Sequence, residues 1–179
     1  MRIPIYQIDA FTRRVFSGNP AAVCPLERWL EDGVLQSIAA ENNLSETAFF
    51  VRAGDRFHLR WFTPVLEVDL CGHATLASAF VILNRLEPGL DAVTFYTRSG
   101  ELTVRREGEY LSMDFPARPP TPCEPPGGLT EALGAAPAEV WRSRDLMALF
   151  DAEEQIRALR PNMDRLARID AFAVIVTAP

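Results

Sequence analysis

The sequence contains no lysine, because all 18 of its basic residues are arginine. A lysine Schiff base to pyridoxal phosphate or to a carbonyl substrate is therefore excluded, and so is a Walker-type phosphate loop, which requires its lysine. The net charge is -6 and no basic cluster is longer than two residues, so nucleic-acid binding has little electrostatic support. These absences exclude two lysine-dependent kinds of site and weigh against a nucleic-acid partner.

Histidine and cysteine are also scarce. The two histidines, His58 and His73, are far apart in sequence and neither belongs to an HxxE, HxH or HExxH pattern. The three cysteines, Cys24, Cys71 and Cys123, are an odd number without CxxC spacing. We therefore predict no metal site and no disulfide framework.

Long apolar runs are missing too. None reaches the roughly 18 residues of a transmembrane helix, and the N-terminus leads directly into a strand pattern without the apolar core of a signal peptide. We therefore expect no membrane association and a cytoplasmic location. With 179 residues, 48% hydrophobic and 23% charged, the chain is long enough for one large domain or for one and a half small ones.

The pattern up to residue 116 predicts short strands wrapped around one apolar helix. One helix is expected from Asp32 to Asn42, with Asp32 as its N-cap. A second, from Ala74 to Leu83, is apolar on nearly every face, as in a helix surrounded by protein. Strands are predicted at residues 2–9, 21–24, 49–51, 57–62, 92–97, 101–106 and 110–115. Residues 1–116 thus form the first predicted domain.

A proline-rich stretch follows. Six of the eleven residues from Pro116 to Pro126 are proline, which cannot join a sheet interior or a helix, so we predict a linker over residues 117–126. Residues 127–179 are predicted to form only part of a second domain. Its expected elements are helices at 129–133, 153–159 and 163–168, a strand over 140–150 interrupted by polar residues, and a strand at 172–177.

Glu46 is the first candidate for chemistry. It lies between Ser45 and Thr47, where a helix-like segment gives way to the strand that contains Phe49. A partly buried carboxylate at such a junction could serve as a general acid/base near neutral pH. The alternative is a turn or capping carboxylate that accepts hydrogen bonds from nearby backbone N–H groups. The residues alone leave both interpretations open.

The segment Cys71-Gly72-His73-Ala74 is the second candidate, because a helix is predicted to begin there. The unpaired N–H groups of a first helical turn favour an anionic group such as a substrate carboxylate. Gly72 would let a ligand approach the backbone, and His73 could donate a hydrogen bond or transfer a second proton. The alternative is an ordinary helix start, with Asp69 as a distant cap and His73 satisfied within the protein.

Three further residues are ambiguous. The thiol of Cys71 could have a lowered pKa at a helix N-terminus, or it could be a small buried hydrophobe. Asn19, within Gly18-Asn19-Pro20, is expected mainly as a turn residue, and a ligand contact is the second interpretation. His58 alternates with Arg60 along a strand and is expected on a solvated face.

The chain resembles the N-terminal half of the PhzF-like isomerase family of phenazine biosynthesis, because several long motifs occur in the same order in both. The resemblance covers essentially the whole chain and is strongest through residue 116. The motifs that carry it are 9–11, 16–23, 43–49, 61–64, 67–75 and 113–116.

The resemblance implies an α+β fold similar to diaminopimelate epimerase, with two pseudo-symmetric halves. Each half is a mixed sheet curled around a central helix, with the site in the cleft between halves. It also implies a homodimer that isomerises a small cyclic carboxylic acid without a cofactor, one glutamate moving the proton. Glu46 matches that glutamate, while Gly72, His73 and the neighbouring Ala74 match the substrate-binding wall. Cys71 matches a thiol base of the related epimerases, which keeps a racemase-like role open.

The chain departs from the family in its second half. An Asp-Pro-Val-Thr-Gly-Ser-like motif contributes the opposite wall of the family's cleft, and nothing after Pro122 matches it. Without that wall, water would not be excluded from the carboxylate, so we expect little isomerase activity from this chain alone. The alternative function is a catalytically impaired family member that acts as a binding or subunit-interaction module.

Overall fold

The computed structural model describes residues 2–14 and 16–179, and these described residues divide into two compact units, the first ending at residue 115 and the second spanning 116–179. The first unit is built on one curled, mixed β-sheet. Its strands are β1 (Tyr6–Ala10), β2 (Asn19–Leu26), β3 (Glu46–Ala53), β4 (Arg56–Phe62), β5 (Glu67–Val68), β6 (Ala92–Thr97), β7 (Gly100–Glu107) and β8 (Tyr110–Met113).

The strand order is β1-β2-β3-β4-β6-β7-β8, with β5 paired to β4. Neighbouring strands are antiparallel except for the pairs β2 with β3 and β4 with β6, which are parallel. A parallel pair needs a crossover connection, and helix α1 (Asp32–Asn42) supplies it between β2 and β3. In this register Glu46 lies opposite Ala21, at the first position of β3.

Helix α2 (Gly72–Val81) lies in the hollow of the sheet. Seven of its ten residues are buried, and they are His73, Ala74, Thr75, Ala77, Ser78, Ala79 and Val81. This confirms the prediction of a helix surrounded by protein. The helix begins two residues earlier than predicted and continues beyond Val81 as a π-helical turn, Ile82–Leu86.

The two faces of the sheet support separate cores. Alternate residues of a strand point to opposite faces, so Ala48 and Phe50 of β3 pack in the cluster around α2, whereas Phe49 packs in the cluster under α1. Trp61, only 1% exposed, belongs to the α2 cluster. Full burial of side chains of this size contributes about 1.5–3 kcal/mol each. The predicted curled mixed sheet around an apolar helix is confirmed.

The predicted N-cap of α1 was wrong. Glu31 occupies the cap position without a side-chain cap hydrogen bond, and Asp32 is the first helical residue. The carboxylate of Asp32 accepts a hydrogen bond from Arg60 at 2.9 Å, which lowers the pKa of Asp32. A guanidinium is a stronger partner than a backbone N–H, so the side chain turns toward β4. His58 is exposed, as predicted, and its ring centroid lies 5.3 Å from that of Tyr96.

The second unit has a four-stranded sheet in the order β12-β11-β10-β9. Residues 140–150, predicted as one interrupted strand, form a hairpin of two strands. The hairpin turns where the Ser143 N–H donates to the Asp145 carbonyl. The strands are β9 (Thr121–Pro122), β10 (Glu139–Arg142), β11 (Leu146–Leu149) and β12 (Val174–Thr177), and the helices are α3 (Leu129–Leu133), α4 (Glu153–Ala158) and α5 (Met163–Leu166).

Part of the proline-rich stretch belongs to this sheet. Thr121–Pro122 pair with β10 as an edge strand, a position that tolerates the missing N–H of proline. The next residue, Cys123, is partly buried and lines a pocket of about 250 Å³ within the second unit. None of the helices in the described ranges is long and apolar enough to cross a membrane.

Candidate active site

Glu46 is oriented by the end of α1 and the start of β3. Asn43 ends the helix in the left-handed conformation, with φ 50°, and its N–H donates to the Ala39 carbonyl. Asparagine tolerates this conformation better than most residues, so the chain reverses and enters β3 within two further residues. Glu46 shares the strand face of Ala48, which packs in the α2 cluster. Its carboxylate therefore points toward α2.

The carboxylate meets His73 in the first turn of α2. Oε2 of Glu46 lies 3.1 Å from Nε2 of His73, and the two side chains are 19% and 9% exposed. The two atoms are close but not aligned for a hydrogen bond. Both are buried, and neither has a hydrogen-bond partner among the described residues. An unsatisfied buried polar pair is costly in a fold, which makes it a candidate for contact with a ligand.

Cys71 completes the cluster on the other side of the imidazole. Its Sγ lies 3.5 Å from Nδ1 of His73. The pKa of the Cys71 thiol is raised to about 12, chiefly by burial and secondarily by the nearby Glu46 carboxylate, while the backbone N–H of Ala74 opposes the rise. Of the two sequence interpretations, the structure favours the buried thiol. The effect of the helix N-terminus is outweighed by desolvation.

Gly72 and Ala74 differ in what they offer a ligand. The side chain of Ala74 is fully buried, so only its backbone could contact a substrate. Gly72 has no left-handed φ, and a Cβ added to it would lie 3.8 Å from Cζ of Phe115, an ordinary contact. Neither backbone conformation nor packing within the first unit requires glycine at this position.

Asn19 lies beside the cluster because β2 and β3 are parallel neighbours. The Ser45 hydroxyl donates to Oδ1 of Asn19 at 3.3 Å, which ties the residue before Glu46 to the start of β2. On the other side of Glu46, Nδ2 of Asn42 donates to the hydroxyl of Thr47 at 3.1 Å. Sequence reasoning missed these two supports, although their polar residues flank Glu46 in the printed sequence.

The same three side chains are the residues that could hold a metal ion. Each side chain offers one ligand atom, and the three atoms, from Glu46, Cys71 and His73, lie within 4.8 Å of one another. The sulfur faces Nδ1, whereas the carboxylate faces Nε2. That the chain has no metal site stays a prediction.

Comparison with known proteins identifies the family of the chain. The family model of phenazine biosynthesis-like proteins, PhzC-PhzF, matches residues 8–179. The chain belongs to this family. It is 55% identical over 178 residues to an uncharacterized isomerase of Pseudomonas aeruginosa, covering 99% of this chain and 69% of that protein. It is 46% identical over 182 residues to an uncharacterized isomerase of Halalkalibacterium halodurans, covering 99% and 68%.

Solved structures of the PhzF family agree closely with the fold. A PhzF-family protein of Enterococcus faecalis superposes with a TM-score of 0.90 at 45% identity, covering 99% of this chain and 69% of that one. A predicted epimerase of Pseudomonas aeruginosa superposes with a TM-score of 0.75 at 23% identity, covering 98% and 70%, and shows the fold alone. The resemblance to the PhzF family and to epimerase-like folds is confirmed, and curated PhzF relatives are named isomerases.

Proposed function

We propose that this chain is a PhzF-family isomerase that moves a proton between carbons of a small carboxylate-bearing metabolite, with Glu46 as the general acid/base. The observation that carries the proposal is the buried, unpartnered pair of Glu46 Oε2 and His73 Nε2, 3.1 Å apart at the first turn of α2. A carboxylate shielded from water but free of a committed hydrogen bond can accept a proton from carbon and return it.

The surrounding groups suit an anionic substrate. The first N–H groups of a helix have no intrahelical acceptor, so those of Gly72 and His73 can bind a carboxylate, assisted by the helix dipole. This orientation would place a substrate C–H beside Glu46. His73 would then donate a hydrogen bond or transfer a second proton. The raised pKa of Cys71 weighs against a thiol base and therefore against the racemase-like alternative.

A homodimer, a cytoplasmic location and a reaction without a cofactor belong to the same proposal. They rest on the family resemblance. The chain spans 69% of the Pseudomonas aeruginosa relative. We therefore expect slow turnover from it alone, whereas hydrogen exchange at carbon, which needs only the base and a bound acid, is the step to measure.

The test compares wild type with Glu46→Gln. Each protein is incubated in D2O with cyclohex-2-ene-1-carboxylic acid and related cyclic acids, and deuterium incorporation is followed by proton NMR. Glutamine keeps the shape but cannot accept the proton, so we expect exchange to fall at least about 100-fold. Glu41→Gln, an exposed glutamate of α1, is the matched control and should exchange like wild type. Undiminished exchange by Glu46→Gln would refute the proposal.

A second candidate function is an interaction module without catalysis. Strand β12 lies at an edge of the second sheet, with Ile175 48% exposed and Phe172 beside it 58% exposed. Exposed apolar edges promote pairing with another chain. If neither wild type nor Glu46→Gln exchanges deuterium, while both self-associate equally in sedimentation velocity, the module is favoured.

A further inference from the structure

The imidazole of His73 connects two groups of different hydrogen-bonding character. Nδ1 lies 3.5 Å from Sγ of Cys71, and Nε2 lies 3.1 Å from Oε2 of Glu46. The ring is 9% exposed, so water has little access to it. A neutral imidazole carries one N–H, and the tautomer is set by what each nitrogen faces.

The Glu46 side favours one of the two tautomers. An ionised carboxylate offers only acceptor oxygens. A lone pair on Nε2 at 3.1 Å from such an oxygen would be repelled in a buried setting, whereas an N–H there is attracted. The pair is not aligned as a hydrogen bond, so this preference is incomplete without a second contact at Nδ1. Nε2 should therefore carry the hydrogen, which leaves a lone pair on Nδ1.

The Cys71 side supplies the complementary donor. Because burial raises the pKa of its thiol to about 12, Cys71 is protonated at neutral pH and has an S–H to donate. The Ala74 N–H acts on the sulfur as a donor, and the S–H has two acceptors within reach, Nδ1 of His73 and the Glu46 carboxylate. Because that carboxylate already faces Nε2–H, we assign the S–H to Nδ1. An S–H donor is weak, but it is the group that the structure brings to this nitrogen.

We infer that Cys71 is a positioning residue, whose S–H holds His73 in the Nε2–H tautomer facing Glu46. The catalytic consequence rests on the proposed function. An Nε2–H beside Glu46 stabilises its carboxylate and keeps a proton available to the reacting centre. Cys71 thus acts through His73 and does not need to ionise.

One competing arrangement uses the same atoms. If Glu46 were protonated, its O–H could donate to Nε2, and His73 would carry its hydrogen on Nδ1, directed at the sulfur. Cys71 would then be an acceptor and its hydrogen would be irrelevant to the tautomer. The two arrangements place the imidazole hydrogen on different nitrogens, so they can be distinguished without an activity assay.

The test is two-bond 1H–15N correlation NMR on protein with 15N-labelled histidine at pH 8. The chain has two histidines, and exposed His58 is the internal reference. For His73 of wild type we expect the pattern of a single Nε2–H tautomer. Cys71→Ala should show a mixture of tautomers, and Cys71→Ser, which keeps a donor, should restore the wild-type pattern. Cys24→Ala removes a buried thiol from the other core cluster and should leave His73 unchanged.

Two results would overturn the inference: an Nδ1–H pattern in wild type, or identical His73 patterns in wild type, Cys71→Ala and Cys71→Ser. Circular dichroism melts identify a variant that fails to fold, and if Cys71→Ala is one, Cys71→Val, which also lacks a donor, replaces it in the comparison. In the deuterium exchange assay we expect Cys71→Ala to be slower and Cys71→Ser to recover the rate. If wild type exchanges no deuterium, the proposed function fails, whereas the tautomer result still decides the role of Cys71.

Discussion

Gly72 is a residue whose identity the fold does not explain. Its backbone is not in the left-handed region, and a methyl group would meet only Phe115 at 3.8 Å. Glycine costs about 0.5–1 kcal/mol relative to alanine within a helix. We propose that a ligand approaches the backbone at this glycine, which lies one residue from His73.

We predict that Gly72→Ala leaves the protein as stable as wild type, or more stable by up to roughly 1 kcal/mol, because alanine is the better helix former. The same change should slow deuterium exchange into a bound acid at least about tenfold, since the methyl group would occupy the approach to the helix N-terminus. Thermal unfolding and the exchange assay check the two parts.

Gly33→Ala is the matched control. Gly33 is in the first turn of α1, has no left-handed φ, and has no atom within 4 Å of an added Cβ. It should gain similar stability and lose no exchange activity. Full exchange activity in Gly72→Ala would contradict a ligand at this position.

The candidate site shows how far residue patterns predict its geometry. Glu46, Gly72 and His73 stand out in the printed sequence, and the alternation along β3 already puts Glu46 on the face of Ala48 and Phe50. The pairing of Cys71 with Nδ1 of His73 could not be read from the sequence, because it depends on side-chain rotamers in one helical turn. Burial also reverses the expected effect of the helix terminus on Cys71, and burial depends on tertiary packing.

At the scale of elements, Arg60 joins three of them. Its guanidinium donates to both carboxylate oxygens of Glu67 in β5 at 2.8 Å and to Asp32 of α1 at 2.9 Å. It also lies over the rings of Trp29 and Phe62, at 5.3 and 5.1 Å from their centroids. The Glu67 side chain is only 13% exposed. The contact with both oxygens of Glu67 therefore depends on the planar guanidinium and its paired N–H donors, which lysine lacks.

We predict that Arg60→Lys lowers the free energy of unfolding by roughly 1–2 kcal/mol, because the two-pronged contact with partly buried Glu67 is lost. Urea denaturation at pH 7 measures the loss. Arg98→Lys serves as control. Arg98 also contacts Glu67 at 2.8 Å but is 59% exposed, so its replacement should cost less than about 0.5 kcal/mol. Equal losses in the two variants would contradict this explanation.

Local patterns predicted most of these elements, and tertiary partners explain the exceptions. The capping role predicted for Asp32 was wrong because Arg60, distant in sequence, takes its carboxylate. The strand predicted over 140–150 folds back at Ser143 and Asp145 into β10 and β11. The π-helical turn at Ile82–Leu86 leaves no signal in an apolar sequence, because hydrophobic residues fit either helix type.

Across the whole molecule, buried thiols couple stability to alkaline pH. Burial raises the pKa of Cys24 from 9.0 to about 11 and contributes most of the rise of Cys71 from 9.0 to about 12. Below pH 9 both thiols are protonated in the folded and unfolded states. Above pH 9 the unfolded chain loses these protons first, so rising pH stabilises the unfolded state relative to the folded state.

We predict that the free energy of unfolding falls as pH rises from about 9 to 11, by up to roughly 1.4 kcal/mol per pH unit for each buried thiol. Guanidinium denaturation at a series of pH values gives the slope. Tyrosines titrate in the same range, so the informative quantity is the difference from Cys24→Ala. That variant should be less stable at pH 7 but show a shallower slope. Parallel slopes would argue against the buried thiol of Cys24 as a source of the pH dependence.

Cys123 differs from the other two cysteines, since it is only partly buried and lines the small pocket of the second unit. A maleimide dye at neutral pH should therefore attach to this one position. The chain has no lysine, so no lysine side chain competes with Cys123 for the dye. The native sequence thus offers a single, known attachment point for fluorescence or spin labelling, placed in a different compact unit from Glu46 and His73 and needing no engineered cysteine.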